Sequence, residues 1–153
     1  SLLYAAPFAA QIICLGVLVP MCEELVFRGL MFKRLRERAP FWQAALYASA
    51  VFAFLHMNMI QMIYGFLLGI VFCYIYEKYG SVKAPVAAHI AVNLLSVFAT
   101  QFHLFDWLLQ EPMRAGVITV VCAAVASSMY LFIQRIEEKP DLPDAGEGSA
   151  ARV

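Results

Sequence analysis

Charge is scarce in this chain. Only 14% of its 153 residues are Asp, Glu, Lys or Arg, against about a quarter in an ordinary soluble domain. The 11 basic and 11 acidic side chains cancel to a formal net charge of zero. That leaves no strongly basic face for phosphates, so nucleic acid is excluded as an expected partner. Cysteine is sparse and unpatterned: Cys14, Cys22, Cys73 and Cys122 lie singly in apolar sequence, with no C-x-x-C or other metal-ligand spacing. They are expected to be buried, reduced thiols. A positively charged segment of the kind that opens a signal peptide is missing before the apolar start at Leu2. With Ser1 in place of a Met, the chain is expected to be part of a longer protein.

Apolar residues dominate instead. They make up 63% of the chain, and the mean hydropathy is +0.74. Such a sequence cannot cover itself with polar surface, and lipid is the expected solvent. Low-charge stretches run at about 2–20, 41–57, 59–76, 84–102 and 115–133, near the length that crosses a bilayer, with a mixed segment at 21–38. The fold class expected is all-α, a polytopic transmembrane bundle of five or six helices. Pro20 stands where the first stretch meets the mixed segment, so 2–38 is either one kinked helix or two.

Basic residues gather at alternate connections: Lys33, Arg34, Arg36 and Arg38, then Lys78 and Lys83, then Arg135 and Lys139. The positive-inside rule assigns these to the cytoplasmic side. Trp42 and Trp107 fall at span ends, as interfacial aromatics do. His103 and the aromatics around it are expected at the opposite surface, with Phe102, Phe105 and Trp107 dipping into lipid. Gly65 and Gly69 form a G-x-x-x-G suited to close helix packing within the chain. From Glu137 the sequence turns to EEKPDLPDAGEGSAARV, which is too polar to bury. The domain division expected is a helical bundle over 1–136 and a disordered cytoplasmic tail over 137–153. The protein is expected in the cytoplasmic membrane of a prokaryote.

One group of charges interrupts the apolar sequence: Glu23, Glu24 and Arg28, in PMCEELVFRG. Ionisable side chains at membrane depth are costly and point to pairing or function. At about 100° per helical residue, Glu24 and Arg28 lie within about 40° of each other and can pair, whereas Glu23 lies about 140° away from Arg28. Glu23 is therefore the candidate general base. His56 ends the second long stretch four residues after Phe52, and His89 lies four before Asn93 in the fourth. Glutamate, histidine and asparagine together are an inventory for activating water and stabilising an oxyanion. The charged group also has a plain structural reading, interfacial lining with Arg28 snorkelling to headgroups, and His89 and Asn93 have another, interhelical hydrogen bonding.

Glu23-Glu24-x-x-x-Arg28, Phe52-x-x-x-His56 and His89-x-x-x-Asn93 resemble, in order, the three signature motifs of the CPBP family of intramembrane proteases, which includes the CAAX-protease type. The surrounding Pro20-Met-Cys-Glu-Glu-Leu-Val-Phe-Arg-Gly matches the family's usual pattern, and the resemblance covers about residues 5–100. It implies an all-helical membrane endopeptidase acting on a peptide or membrane-protein substrate. Glu23 and His56 would activate water, His89 and Asn93 would stabilise the oxyanion, and Glu24 would pair with Arg28. Full-length members commonly have further N-terminal spans.

A zinc site of Glu23, His56 and His89 is the alternative chemistry. The sequence contains no H-E-x-x-H, and the metal-independent glutamate mechanism, with no cofactor, is favoured. Two rival functions are a non-catalytic scaffold or bacteriocin-immunity protein and a proton-coupled transporter. The second is disfavoured because the last span offers only small hydroxyls and no inverted repeat is visible.

Overall fold

The computed structural model describes residues 6–135; the expected tail at 137–153 lies outside the described residues. Within them the chain forms six helices and no strand: α1 Phe8–Arg36, α2 Phe41–Phe54, α3 Met59–Tyr79, α4 Lys83–Gln101, α5 Leu104–Leu109 and α6 Pro112–Gln134. Four of them, α1, α3, α4 and α6, are long and apolar enough to cross a bilayer. Large apolar side chains such as Leu30, Leu67, Leu95 and Phe132 lie on the outside of the helices. This is where a soluble protein would place charge, and the chain is an integral membrane protein.

Pro20 does not divide the first segment. Helical backbone runs from Phe8 to Arg36, but it changes pitch. Ile12–Leu18 and Leu25–Phe32 wind as π-helix around an α-helical Val19–Glu24. The wider register shifts which carbonyl each N–H reaches, and so changes what a proline removes.

The expected span at 41–57 is shorter than a bilayer. Helix α2 has 14 residues, about 21 Å against about 30 Å of hydrocarbon. It ends because the Leu55–Met57 N–H groups fold back on the last turn, His56 to Ala53 O (3.1 Å) and Met57 to Phe54 O (3.4 Å), and Met57 then turns left-handed at φ 51°. Asn58 caps α3 directly, its Oδ1 accepting from Ile60 N (3.0 Å) and Gln61 N (3.2 Å). Gly80, at φ 60°, closes the other end of α3 with its N–H on Tyr76 O.

The chain divides into two compact units, one of which is Met21–His89. Its core joins Phe32, Ala44, Ala45, Ala48, Cys73 and Tyr76, with Met31, Leu35, Phe41 and Val82 against it. Small residues on α2 face the glycines of α3. A Cβ on Gly69 would fall 2.8 Å from Ser49 Cβ, and one on Gly65 3.9 Å from Phe52. The G-x-x-x-G thus packs within the chain. Near the ends of α1 and α3, Arg36 grips Glu77 (Nη2–Oε1 2.6 Å, Nε–Oε2 3.1 Å) and donates to Ala39 O.

The other unit comprises the stretch up to Pro20 and the stretch from Ile90. There the Phe8 ring meets Phe98 edge-on, with centroids 5.4 Å apart. His103 is exposed and lies 3.1 Å from Asp106, and the Arg114 guanidinium covers the Trp107 ring at 4.2 Å. Helix α6 buries no residue. Its Thr119, Ser127 and Ser128 hydroxyls bond the carbonyls four residues back, so these three donors are satisfied within the helix. Of the four free cysteines only Cys73 is buried, while Cys14, Cys22 and Cys122 are exposed. The expectation of buried thiols fails for these three because apolar sequence in a membrane chain faces lipid as readily as protein.

Candidate active site

Glu23 and Glu24 stand in the α-helical turns of α1, and Arg28 in the π-helical turns that follow. Glu24 and Arg28 are both fully buried, a position that charges occupy only when paired. Glu24 Oε1 accepts from Arg28 Nη1 at 2.7 Å and faces His89 Nδ1 at 2.8 Å. Arg28 Nη2 donates to the carbonyl of Gly69 at 3.0 Å. The guanidinium also lies over two rings, 4.7 Å from the Phe52 centroid and 5.2 Å from that of Phe72, a cation–π arrangement. Cys73 brings its thiol against Arg28 and Ser49.

His89 links the two carboxylates. Its Nδ1 is on Glu24, and its Nε2 lies 3.6 Å from Glu23 Oε2, within ion-pair reach. The imidazole stacks on Phe72 with centroids 4.8 Å apart and planes at 29°. Since Glu24 Oε1 already accepts from Arg28 and is a carboxylate, Nδ1 carries hydrogen, and the chemistry is left to Nε2. Two carboxylates then face one guanidinium and one imidazole. The carboxylates differ in access: the Glu23 side chain is 27% exposed and that of Glu24 0%. Only Glu23 can meet a substrate.

His56 Nδ1 lies 3.0 Å from the carbonyl of Phe52 and therefore donates to it, which leaves Nε2 as an acceptor. The Phe52 ring meets the His56 ring edge-on at 4.9 Å and the His89 ring at 6.0 Å. Five of the residues singled out in the sequence, Glu23, Glu24, Arg28, His56 and His89, lie in the Met21–His89 unit. Asn93 lies in the other, where its Nδ2 donates to Leu15 O at 3.0 Å. Among the described residues no three His, Cys, Asp or Glu side chains are arranged to hold a metal ion, including the trio Glu23, His56 and His89.

Ser49, Gly69, Phe72 and Cys73 were not legible as site residues. Gly69 had a signal in its G-x-x-x-G, and Phe72 lies on the same face three residues on. An apolar helix offers no charge to mark which of its faces receives an arginine.

Comparison with known proteins adds a family. The pattern of the family described as "Type II CAAX prenyl endopeptidase Rce1-like" matches residues 5–95. The "Putative membrane peptidase YdiL" of Bacillus subtilis (strain 168) is 25% identical over 108 residues, 71% of this chain and 44% of that protein. The chain thus spans less than half the length of this curated relative. No solved structure matches it.

Proposed function

Because the chain belongs to the type II CAAX prenyl endopeptidase (Rce1-like) family, we propose that it carries the catalytic site of an intramembrane endopeptidase. Its substrates would be peptides presented at membrane depth, with prenylated C-termini the first class to test. The observation that carries the reading is His89 held between Glu23 and Glu24, in a region the family pattern covers.

The mechanism follows from Glu23, the accessible carboxylate beside His89. Glu23 takes a proton from water as the water oxygen attacks the scissile carbonyl carbon. The carbonyl oxygen becomes the oxyanion of a tetrahedral intermediate. Collapse breaks the C–N bond, and the proton that Glu23 took from water passes to the leaving amine. The free Nε2 of His56 orients the attacking water. Glu24 and Arg28 do not react; they hold His89 by Nδ1 so that Nε2 points at Glu23. An oxyanion-donor role for Asn93 rests on the family resemblance alone, and one of its amide hydrogens is on Leu15. None of these steps uses a metal, and chelation tests this.

The experiment is cleavage of a membrane-peptide library by the full-length protein in detergent, beside Glu23→Gln and with and without a zinc chelator. Glu23→Gln is expected to lose roughly 10²–10⁴ in rate, the usual contribution of a positioned base, with an unchanged melting temperature. Equal rates would remove Glu23 as the base. Loss on chelation with rescue by zinc would replace the glutamate mechanism by the metal one.

A further inference from the structure

Val19 N–H hydrogen-bonds the carbonyl of Cys14, five residues back, at the end of the first π-helical stretch. In that register the next carbonyl, Leu15 O, would receive the N–H of residue 20. Residue 20 is proline and has none. The other backbone donor within reach, four residues on in α-helical register, is Val19 itself, already on Cys14. A carbonyl left without a donor inside a membrane span is costly because no water is there to serve it. Leu15 O has one: Asn93 Nδ2, at 3.0 Å.

We infer that Asn93 is a positioning residue that stands in for the N–H Pro20 lacks, so that its side-chain amide completes the hydrogen-bond ladder of α1 at Leu15. The helix then passes through a proline three residues before Glu23 without breaking. It follows that the need for Asn93 is conditional. Once residue 20 has an N–H of its own, the amide becomes redundant at Leu15. An oxyanion donor carries no such condition, which makes the two roles separable. The activity arm of the test rests on the peptidase reading; the spectroscopic arm does not.

The test is a double-mutant cycle in the full-length protein: wild type, Pro20→Ala, Asn93→Ala and the pair. Three quantities are read: kcat and KM on a peptide that the wild type cleaves, the melting temperature, and the Leu15 carbonyl ¹³C signal. Labelling Leu carbonyls with ¹³C and Gly amides with ¹⁵N selects Leu15–Gly16 and Leu68–Gly69 in this sequence, and the second is an internal reference. With Pro20 present, Asn93→Ala should shift the Leu15 signal and lower kcat roughly tenfold, the factor to which the free energy of one buried hydrogen bond converts, with little change in KM. With Pro20→Ala the same substitution should leave the Leu15 signal in place and change kcat little. The Leu68 signal should stay put in all four.

A loss of about 10²–10³, the size expected of an oxyanion donor, equal in both backgrounds and with the Leu15 signal unmoved, overturns the inference. Failure of Asn93→Ala to fold supports it if Pro20→Ala restores folding and overturns it otherwise. Should the wild type cleave nothing, the Leu15 signal and the melting temperatures decide the inference without the peptidase reading.

Discussion

Helices α3 and α6 are nearly alike as sequence and opposite as structure. Both are long, apolar and fit to span a bilayer, with 21 and 23 residues. Yet α3 buries Gly65, Gly69, Phe72, Cys73 and Tyr76, whereas α6 buries none. The difference lies in what each face meets. Gly69 presents its carbonyl to Arg28 and Phe72 its ring to both Arg28 and His89. On α6 nothing lies within 4 Å of where a Cβ on Gly116 would sit. Hydropathy reports that a helix prefers lipid to water; it does not report whether protein or lipid occupies a given face, because both are apolar.

Substitutions at matched positions sharpen the contrast. The largest effect is expected from Arg28→Ala, which removes the guanidinium from the buried Glu24 and leaves it His89 alone. About 3–5 kcal/mol of stability should be lost in reversible unfolding, and an unchanged melting temperature would mean that α3 is not organised around this arginine. Next comes a pair of phenylalanines: Phe72→Ala on α3 should cost a similar or slightly smaller amount, about 3–5 kcal/mol. Phe132→Ala on α6, where the ring is 69% exposed, should cost little. Comparable losses at the two sites would break the comparison.

The glycines are expected to differ even in sign. Gly69→Ala drives a Cβ into Ser49 Cβ at 2.8 Å and Cα at 3.2 Å, an overpacking worth about 1–3 kcal/mol. Gly116→Ala adds a methyl into open space and should stabilise the helix by about 0.5–1 kcal/mol. A destabilising Gly116→Ala would show that a protein surface covers α6.

Much of the candidate site's geometry was readable in the residues themselves. Four residues of helix bring Glu24 under Arg28 whatever surrounds them, and the two lie 2.7 Å apart. The same count sets Glu23 apart from that pair. His56 and His89 stood out because polar side chains are rare in apolar stretches. What could not be read is who faces whom across helices. That His89 bridges the two carboxylates depends on the approach of α4 to α1, and Phe72 and the Gly69 carbonyl join only because the glycines of α3 let α2 come close. The left-handed Met57 and the early end of α2 also escaped, since a run of apolar residues has no marker for where its last turn tightens.

By itself, then, the sequence determined the class and the ingredients: an all-helical membrane chain, one buried ion pair at i, i+4, one carboxylate left over and two histidines. These follow from hydropathy and from helix geometry, which act over a few residues. Tertiary structure alone decided that His89 faces both glutamates, that α3 lines the candidate site while α6 buries no residue, and that α1 runs through Pro20 with Asn93 on the Leu15 carbonyl. Those outcomes turn on contacts between residues 40 to 80 positions apart in the chain, and neither composition nor local period carries a record of them.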